Sequence, residues 1–266
     1  MRCYDLAVSP QKQDFESKIE WANKHINDLH SALDEFIAIN PYAVSVKRNP
    51  DTGEHIYYAA KVTPVPPKIL LVAGDIFQNI RSSLDYLANA LVRAEGGTPD
   101  KFTGYPIFET VPTTKEQKTA FARKVKGMRQ EAVDIIEQTK PYKGGNAHLW
   151  RLHDLNIRDK HRLLLTAGAA VWQFNVGQHL RATDRATGLL TNATDWWIGR
   201  TQALLVEEGQ HLLTDPPDAK VNKDIQFTFQ VALNELGVCE GEPLIIVVRQ
   251  SLNMVRRLIR AFEFYI

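Results

Sequence analysis

Apolar side chains recur at spacings of three and four residues in several segments, a pattern that predicts amphipathic helices. The first helix covers about residues 11–38 and is ended by Asn40 and Pro41, since proline excludes its predecessor from the helical region. A longer one covers about Ile69 to Glu95 and ends at two glycines. The same pattern predicts further helices near 115–125, 128–138, 147–165 and 244–264.

Short segments rich in β-branched and aromatic residues predict strands between these helices. Two of them flank a turn sequence that begins at Asn49-Pro50, which is typical of a β-hairpin over residues 43–62. The pattern predicts an α+β fold: a helical part with an early β-hairpin, followed by a β-rich region and a C-terminal docking helix. We divide the chain into a mainly helical, motif-bearing region 1–165 and a region 166–266, with one overall domain as the alternative.

Composition and charge exclude several classes of protein. The chain has 266 residues with 32 Lys and Arg against 31 Asp and Glu, a balance that excludes a histone-like binder. Its two cysteines exclude a disulfide scaffold, and we predict no metal site and no cofactor because no metal-ligand spacing or nucleotide-binding motif occurs. No secretory signal or membrane-spanning apolar run is recognisable, so we expect a cytoplasmic protein without a membrane partner.

The helix predicted over 69–95 carries two pairs of polar residues. Asp75 and Asn79 are four residues apart, as are Arg81 and Asp85, so the members of each pair meet on the helix surface. An exposed ion pair of this kind contributes under about 0.5 kcal/mol to stability. The pairs therefore indicate either a solvated helix face or a functional one.

The helix predicted over 147–165 has polar residues within its apolar face. Stepping along that face by three and four residues reaches Asn156 and Asp159, and an unpaired buried polar group costs roughly 1–3 kcal/mol. Both need partners, for which Arg81 and Asp75 of the other helix are the candidates, and we predict a contact between Asp159 and Arg81. Such a contact either fixes the register of two helices or forms the floor of an active cleft.

Positive charge is concentrated at two places in the sequence. Arg158, Lys160 and Arg162 surround His161, a set that suits an anionic ligand or a solvated helix flank. A second basic stretch, over residues 115–129, suits a phosphate backbone or, again, a solvated helix face.

These motifs resemble those of an uncharacterised family of bacterial proteins, over about the first 165 residues. The resemblance rests on the sequence GD…NIRSSLDYL at 74–87 together with LNIRDKHR at 155–162, and it implies no activity. The first motif is also distantly similar to that of HEPN helical domains, many of which are metal-independent ribonucleases. In these an arginine and a histidine on one helix act on the scissile phosphate, often across a dimer. Arg81 matches the arginine, but Tyr86 stands at the histidine position, so either cleavage is lost or His161 replaces the histidine.

Three hypotheses follow. The first is a HEPN-like RNA-directed protein, either a ribonuclease or a lapsed RNA-binding relative, which would form a homodimer. The second is a hydrolase that uses buried Asp and His groups on a small anionic ligand in a pocket between the two helices. The third is a non-catalytic scaffold. The candidate catalytic residues are Asp75, Arg81, Asp85, Asp159 and His161, and the candidate ligand-binding residues are Asn79, Asn156, Arg158, Lys160 and Arg162.

Overall fold

The computed structural model of the chain describes residues 10–161, 165–175, 181–183, 190–192, 197–199, 205–215, 217 and 227–266. Its helices are α1 (Pro10–Ala38), α2 (Pro67–Ala94), α3 (Lys115–Lys124), α4 (Gln130–Gln138), α5 (Ala147–His161) and α6 (Leu244–Ala261), with a 3-10 turn at Glu263–Tyr265. Its strands are β1 (Tyr42–Arg48), β2 (His55–Val62), β3 (Ala167–Asn175), β4 (Arg181–Thr183), β5 (Leu190–Asn192), β6 (Trp197–Gly199), β7 (Leu205–Val206), β8 (His211–Asp215), β9 (Phe227–Glu235) and β10 (Cys239–Pro243). The predicted α+β fold, with its early hairpin and C-terminal helix, is confirmed.

The chain folds into two compact units, and each is assembled from separate segments. Unit 1 is helical and combines most of α1, nearly all of α2, α3 to α5, and α6. Unit 2 contains the β1–β2 hairpin and the later strands. This arrangement differs from a division at residue 165, because the hairpin belongs with the strands and α6 belongs with the earlier helices.

Pairing between distant strands explains why the hairpin belongs to unit 2. β2 pairs with β1 on one side and with β8 on the other, both antiparallel, in a three-stranded sheet. A second antiparallel sheet has the order β10-β9-β3-β6, and β7 also pairs with β3; β4 and β5 pair separately. Apolar residues from the first two sheets share one core, which contains Ala59, Ala169, Val171, Val206 and Leu212.

The apolar stripes predicted from helical spacing form the core of unit 1. On α2 the stripe is at most 2% exposed; its members are Ile76, Ile80, Leu84, Leu87 and Leu91. On α5 the three described leucines of the stripe, Leu149, Leu152 and Leu155, are fully buried. Burial of one such side chain contributes about 1.5–3 kcal/mol, so these stripes fix which helix faces point inward.

One predicted helix boundary is wrong. The helix predicted over 147–165 corresponds to α5, which ends at His161 among the described residues, and Leu165 is not helical. The following residue, Thr166, already belongs to unit 2, where its backbone N–H donates to Glu235 Oε1 at 2.7 Å. The backbone at this point is committed to the sheet and cannot continue the helix.

None of the helices in the described part of the chain combines the length and the apolar character that crossing a bilayer requires.

Candidate functional site

The motif helices α2 and α5 contact each other at two levels in unit 1. At the first level, Asp159 of α5 lies directly on Gly74 of α2; a Cβ atom on that glycine would be 2.6 Å from Asp159 Cγ. At the second level, Arg81 of α2 donates from Nε to Nδ1 of His153 on α5, at 3.3 Å. From the first level to the second, the residue number rises on α2, from 74 to 81, and falls on α5, from 159 to 153. The two helices are therefore antiparallel, and these contacts define their register.

Arg81 joins three segments of unit 1. Its side chain is only 7% exposed, and its Nη1 atom pairs with Asp85 Oδ1 at 2.7 Å, one turn along the same helix. Its Nη2 atom donates to the backbone carbonyl of Tyr105 at 3.1 Å. Asp85 in turn accepts from the backbone N–H of Tyr105 at 3.0 Å. The predicted meeting of Arg81 and Asp85 is confirmed, and together with His153 they hold the 105 segment against α2 and α5.

His153 is a member of this cluster that the sequence analysis missed. Burial, and then the positive charge of Arg81, lower the pKa of His153 to about 4, so its ring is neutral near pH 7. Since Nδ1 accepts from Arg81, the ring proton lies on Nε2. No local sequence signal identifies His153, because its position follows from the antiparallel register: where Gly74 faces Asp159, a residue two turns further along α2 faces one nearly two turns earlier on α5.

The predicted contact between Asp159 and Arg81 is wrong. Among the described residues, Asp159 forms no ion pair; it packs on Gly74 and has Asp75, another carboxylate, as its charged neighbour on α2. Burial, and then the charge of Asp75, raise the pKa of Asp159. The prediction failed because Asp159 faces Gly74, which lies about two turns before Arg81 on α2, and the residue that faces Arg81 is His153.

The two asparagines of the motifs lie at different places. Asn79 is buried; its Nδ2 donates to the backbone carbonyl of Asp75 at 2.8 Å, and its Oδ1 accepts from Lys18 of α1 at 3.2 Å. Asn156 is also buried, as predicted, and its Oδ1 has no hydrogen-bond partner among the described residues. The asparagines therefore pack within unit 1 and do not line a common cleft with Arg81.

The cationic end of α5 does not form one cluster. Arg158 donates from Nε to Asp154 at 2.5 Å, one turn back on the same helix. Lys160 and His161 are exposed. Arg162 lies outside the described residues. The structure thus does not bring His161 to Arg81; the imidazole beside Arg81 is that of His153.

A cationic cleft opens on the Arg81–Asp85 pair. It has a volume of about 400 Å³ and lies between α2, the 101–104 segment and α3. Four of the side chains that line it are cations: Arg81, Lys101, Arg123 and Lys124. We refer to it as the Arg81 cleft. Since Asp85 is the one carboxylate in its lining, the cleft carries a net positive charge.

Two features of the Arg81 cleft bear on what it can bind: the lowered pKa of Lys124 and the contact between Arg123 and Phe102. Burial, and then the nearby charge of Arg81, lower the pKa of Lys124, while Asp85 opposes the shift. At the rim, the Arg123 guanidinium lies 3.7 Å from the centroid of the Phe102 ring, whose side chain is half-exposed. A lysine whose charge is poorly solvated gains from an anionic partner, and the exposed, planar Arg123 guanidinium can stack with a planar ligand.

The arrangement favours the binding of an anion that carries a planar group. The α2–α5 region has an open cleft lined by Lys101 and Arg123, and it is closely packed at a different place, where Asp159 contacts Gly74. No group of three or more potential metal ligands occurs among the described residues. Comparison of the chain with protein-family models, with curated proteins and with solved structures finds no match.

Proposed function

We propose that this chain is an RNA-binding protein that holds the phosphate backbone of a single strand in the Arg81 cleft. The observation that carries the proposal is the set of four cations around one carboxylate in a cleft of about 400 Å³. Phosphate oxygens accept hydrogen bonds from arginine and lysine, and the exposed Arg123 guanidinium, which lies over the Phe102 ring, offers a base a planar group to stack on. The HEPN resemblance of the Arg81 motif points to the same ligand.

We propose binding without cleavage, the lapsed form of the HEPN hypothesis. A general base needs a free lone pair near the reacting group, and Nδ1 of His153 is occupied by Arg81. Tyr86, at the position of the HEPN histidine, lines a different groove together with Trp21 and Lys18 of α1. Arg81 itself has donors engaged with Asp85, His153 and Tyr105, so it positions the cleft more than it polarises a phosphate.

The small-molecule hydrolase is the weaker alternative. It requires space for a substrate between Asp75 and Asp159, but α5 lies so close to α2 here that a single methyl group on Gly74 would overlap the Asp159 carboxylate. The Arg81 cleft is also the better place for a small anionic ligand. The homodimer stays a prediction, and the molar mass in solution, from light scattering, would test it.

Fluorescence anisotropy with a labelled single-stranded RNA tests the proposal. The affinity should fall with salt, with a slope of about −0.7 for each phosphate that the cleft neutralises. The double variant Lys101→Ala/Arg123→Ala removes two exposed cations of the cleft and should weaken binding by roughly tenfold or more at low salt. The matched control, Lys24→Ala/Arg93→Ala, removes the same charge from exposed positions on α1 and α2 outside the lining of the cleft.

Equal losses in the two double variants would show that net charge alone drives binding and would contradict the assignment to the cleft. An affinity unaffected by salt would contradict a phosphate-backbone ligand. Incubation with RNA in the presence of a chelator should leave the RNA intact; cleavage that disappears in His153→Asn would instead favour the ribonuclease.

A further inference from the structure

We propose that a second cavity, on the other side of α3, receives an unpaired nucleobase of the same RNA strand; this inference rests on the proposed function. The cavity has a volume of about 410 Å³, within the range of small-ligand sites. We refer to it as the aromatic pocket. Its lining includes three aromatic rings, two prolines, one lysine and one glutamate, among them Phe108, Pro112, Lys118, Phe121, Glu137 and Tyr142.

The walls of the aromatic pocket are fixed before any ligand binds. The backbone N–H of Phe108 donates to the carbonyl of Pro141 at 2.9 Å, which joins the two irregular segments of the wall. The segment that follows Phe108 ends in the capping box of α3, in which Thr114 and Gln117 exchange hydrogen bonds. Gln117 Nε2 also donates to Thr110 at 3.2 Å. A pocket held in this way loses little conformational entropy when it binds a flat ligand.

The chemistry of the lining matches a nucleobase better than an aliphatic ligand. The Phe108 and Phe121 ring centroids are 6.4 Å apart with an interplanar angle of 32°, and such rings stack with any base because every base has a π face. Lys118 supplies hydrogen-bond donors and Glu137 supplies acceptors. The edge of a base carries both acceptors and donors and can satisfy the two charged groups, which an aliphatic chain cannot.

The position of the aromatic pocket relative to the Arg81 cleft fits one continuous strand. Both cavities are lined by α3, but by different sides of it: Lys118 and Phe121 on one side, Ala120 and Arg123 on the other. The α3 face between them is solvent-exposed and contains Lys115. A helix is about 10–12 Å across, a distance that a few nucleotides span. A strand that crosses this exposed face can place a phosphate in the cleft and a base in the pocket.

Binding of an RNA strand and of an abasic strand of equal length, which keeps the phosphates and lacks the bases, separates the two contributions. We expect the wild-type protein to bind the RNA roughly 5- to 100-fold more tightly than the abasic strand. The variant Phe108→Leu/Phe121→Leu keeps apolar volume but loses the flat rings, and it should reduce this ratio severalfold while leaving the abasic affinity unchanged. The control Phe264→Leu alters a ring that is 93% exposed and does not line the pocket, and it should leave the ratio at its wild-type value.

A second readout is the fluorescence of 2-aminopurine placed in the strand. Stacking in the pocket should quench it with the wild-type protein and with Phe264→Leu, and much less with the pocket variant. A wild-type ratio near one, or a ratio unchanged in the pocket variant, overturns the inference while salt-dependent binding of the abasic strand still supports the proposed function. Absence of binding by either strand overturns both.

Discussion

The two ends of the contact between α2 and α5 look alike in sequence and differ in structure. At one end, Asp159 packs on Gly74 beside a second carboxylate, so closely that a methyl group on Gly74 would overlap it. At the other end, Arg81 has partners on three segments and faces a cationic cleft. A polar residue within an apolar helix face therefore indicates tight packing in one case and a cleft lining in the other. The two ends differ in two respects. Opposite charges meet at the Arg81 end, and there a third segment borders an open cleft.

Loss of Arg81 should have the largest effect. Arg81→Ala breaks the pair with Asp85, whose side chain is 44% exposed, and leaves His153 and the Tyr105 carbonyl without a donor, at a cost of about 1–3 kcal/mol for each of these two acceptors. Chemical denaturation monitored by circular dichroism measures the free energy of unfolding.

The control for this variant is Arg129→Ala. Arg129 pairs with Glu95 at 2.6 Å, but its side chain is 45% exposed, so its loss should cost under about 1 kcal/mol. Equal losses for the two variants would contradict the view that Arg81 is the residue that joins the three segments.

The contributions of His153 and Asp159, at the two ends of the α2–α5 contact, should change stability in opposite directions as the pH changes. The pKa of His153 falls from 6.5 to about 4 on folding, so the unfolded chain binds the proton first as the pH decreases. The stability that this neutral histidine contributes is present above pH 6.5 and is lost as the pH falls to 4, by up to about 3 kcal/mol. Unfolding free energies measured from pH 7 to pH 4 should therefore decrease less in His153→Asn, which keeps an acceptor for Arg81 but does not titrate.

Asp159 provides the opposite case within the same measurement. Its pKa is raised above 3.8 on folding, so its contribution to stability is present below pH 3.8 and is lost as the pH rises through the folded-state pKa. Asp159→Asn should thus change the profile in the direction opposite to that of His153→Asn. Parallel changes in the two variants would show that these groups do not titrate as their surroundings require.

A smaller effect than that of Arg81→Ala should come from a single methyl group on Gly74, where α5 packs closely on α2. Gly74→Ala places a Cβ within 3 Å of the Asp159 carboxylate, and overpacking of this kind costs about 1–3 kcal/mol. In an Asp159→Gly background the same substitution should be neutral or stabilising, because alanine favours a helix over glycine by about 1 kcal/mol. Denaturation of the four proteins gives the coupling energy, and a value near zero would contradict the close approach.

The sequence predicted the elements of this fold well because their signals are local. Apolar spacing identified α1 to α6, and the Asn40-Pro41 pair marked the end of α1. The partner of Arg81 was missed because it depends on the register between two helices, which no local pattern encodes. The Arg81 cleft was missed for a related reason. Lys101 lies in an irregular segment whose path depends on tertiary hydrogen bonds, such as the one that the Tyr105 backbone N–H donates to Asp85. Local periodicity specifies which face of a helix is buried, whereas the neighbours of a given side chain depend on tertiary contacts.

The discontinuous make-up of the two units has a consequence for synthesis on the ribosome. The β1–β2 hairpin leaves the exit tunnel early, but β8, which covers the open side of β2, is translated only after α2 to α5. Unit 1 likewise lacks α6 until residues 245–266 have been made. Closure of such long loops costs conformational entropy that only the late contacts repay, so unit 2 completes its folding only after its last strands are made and unit 1 only after α6 is made. The nascent chain must therefore keep an unpaired strand edge from aggregating until β8 arrives.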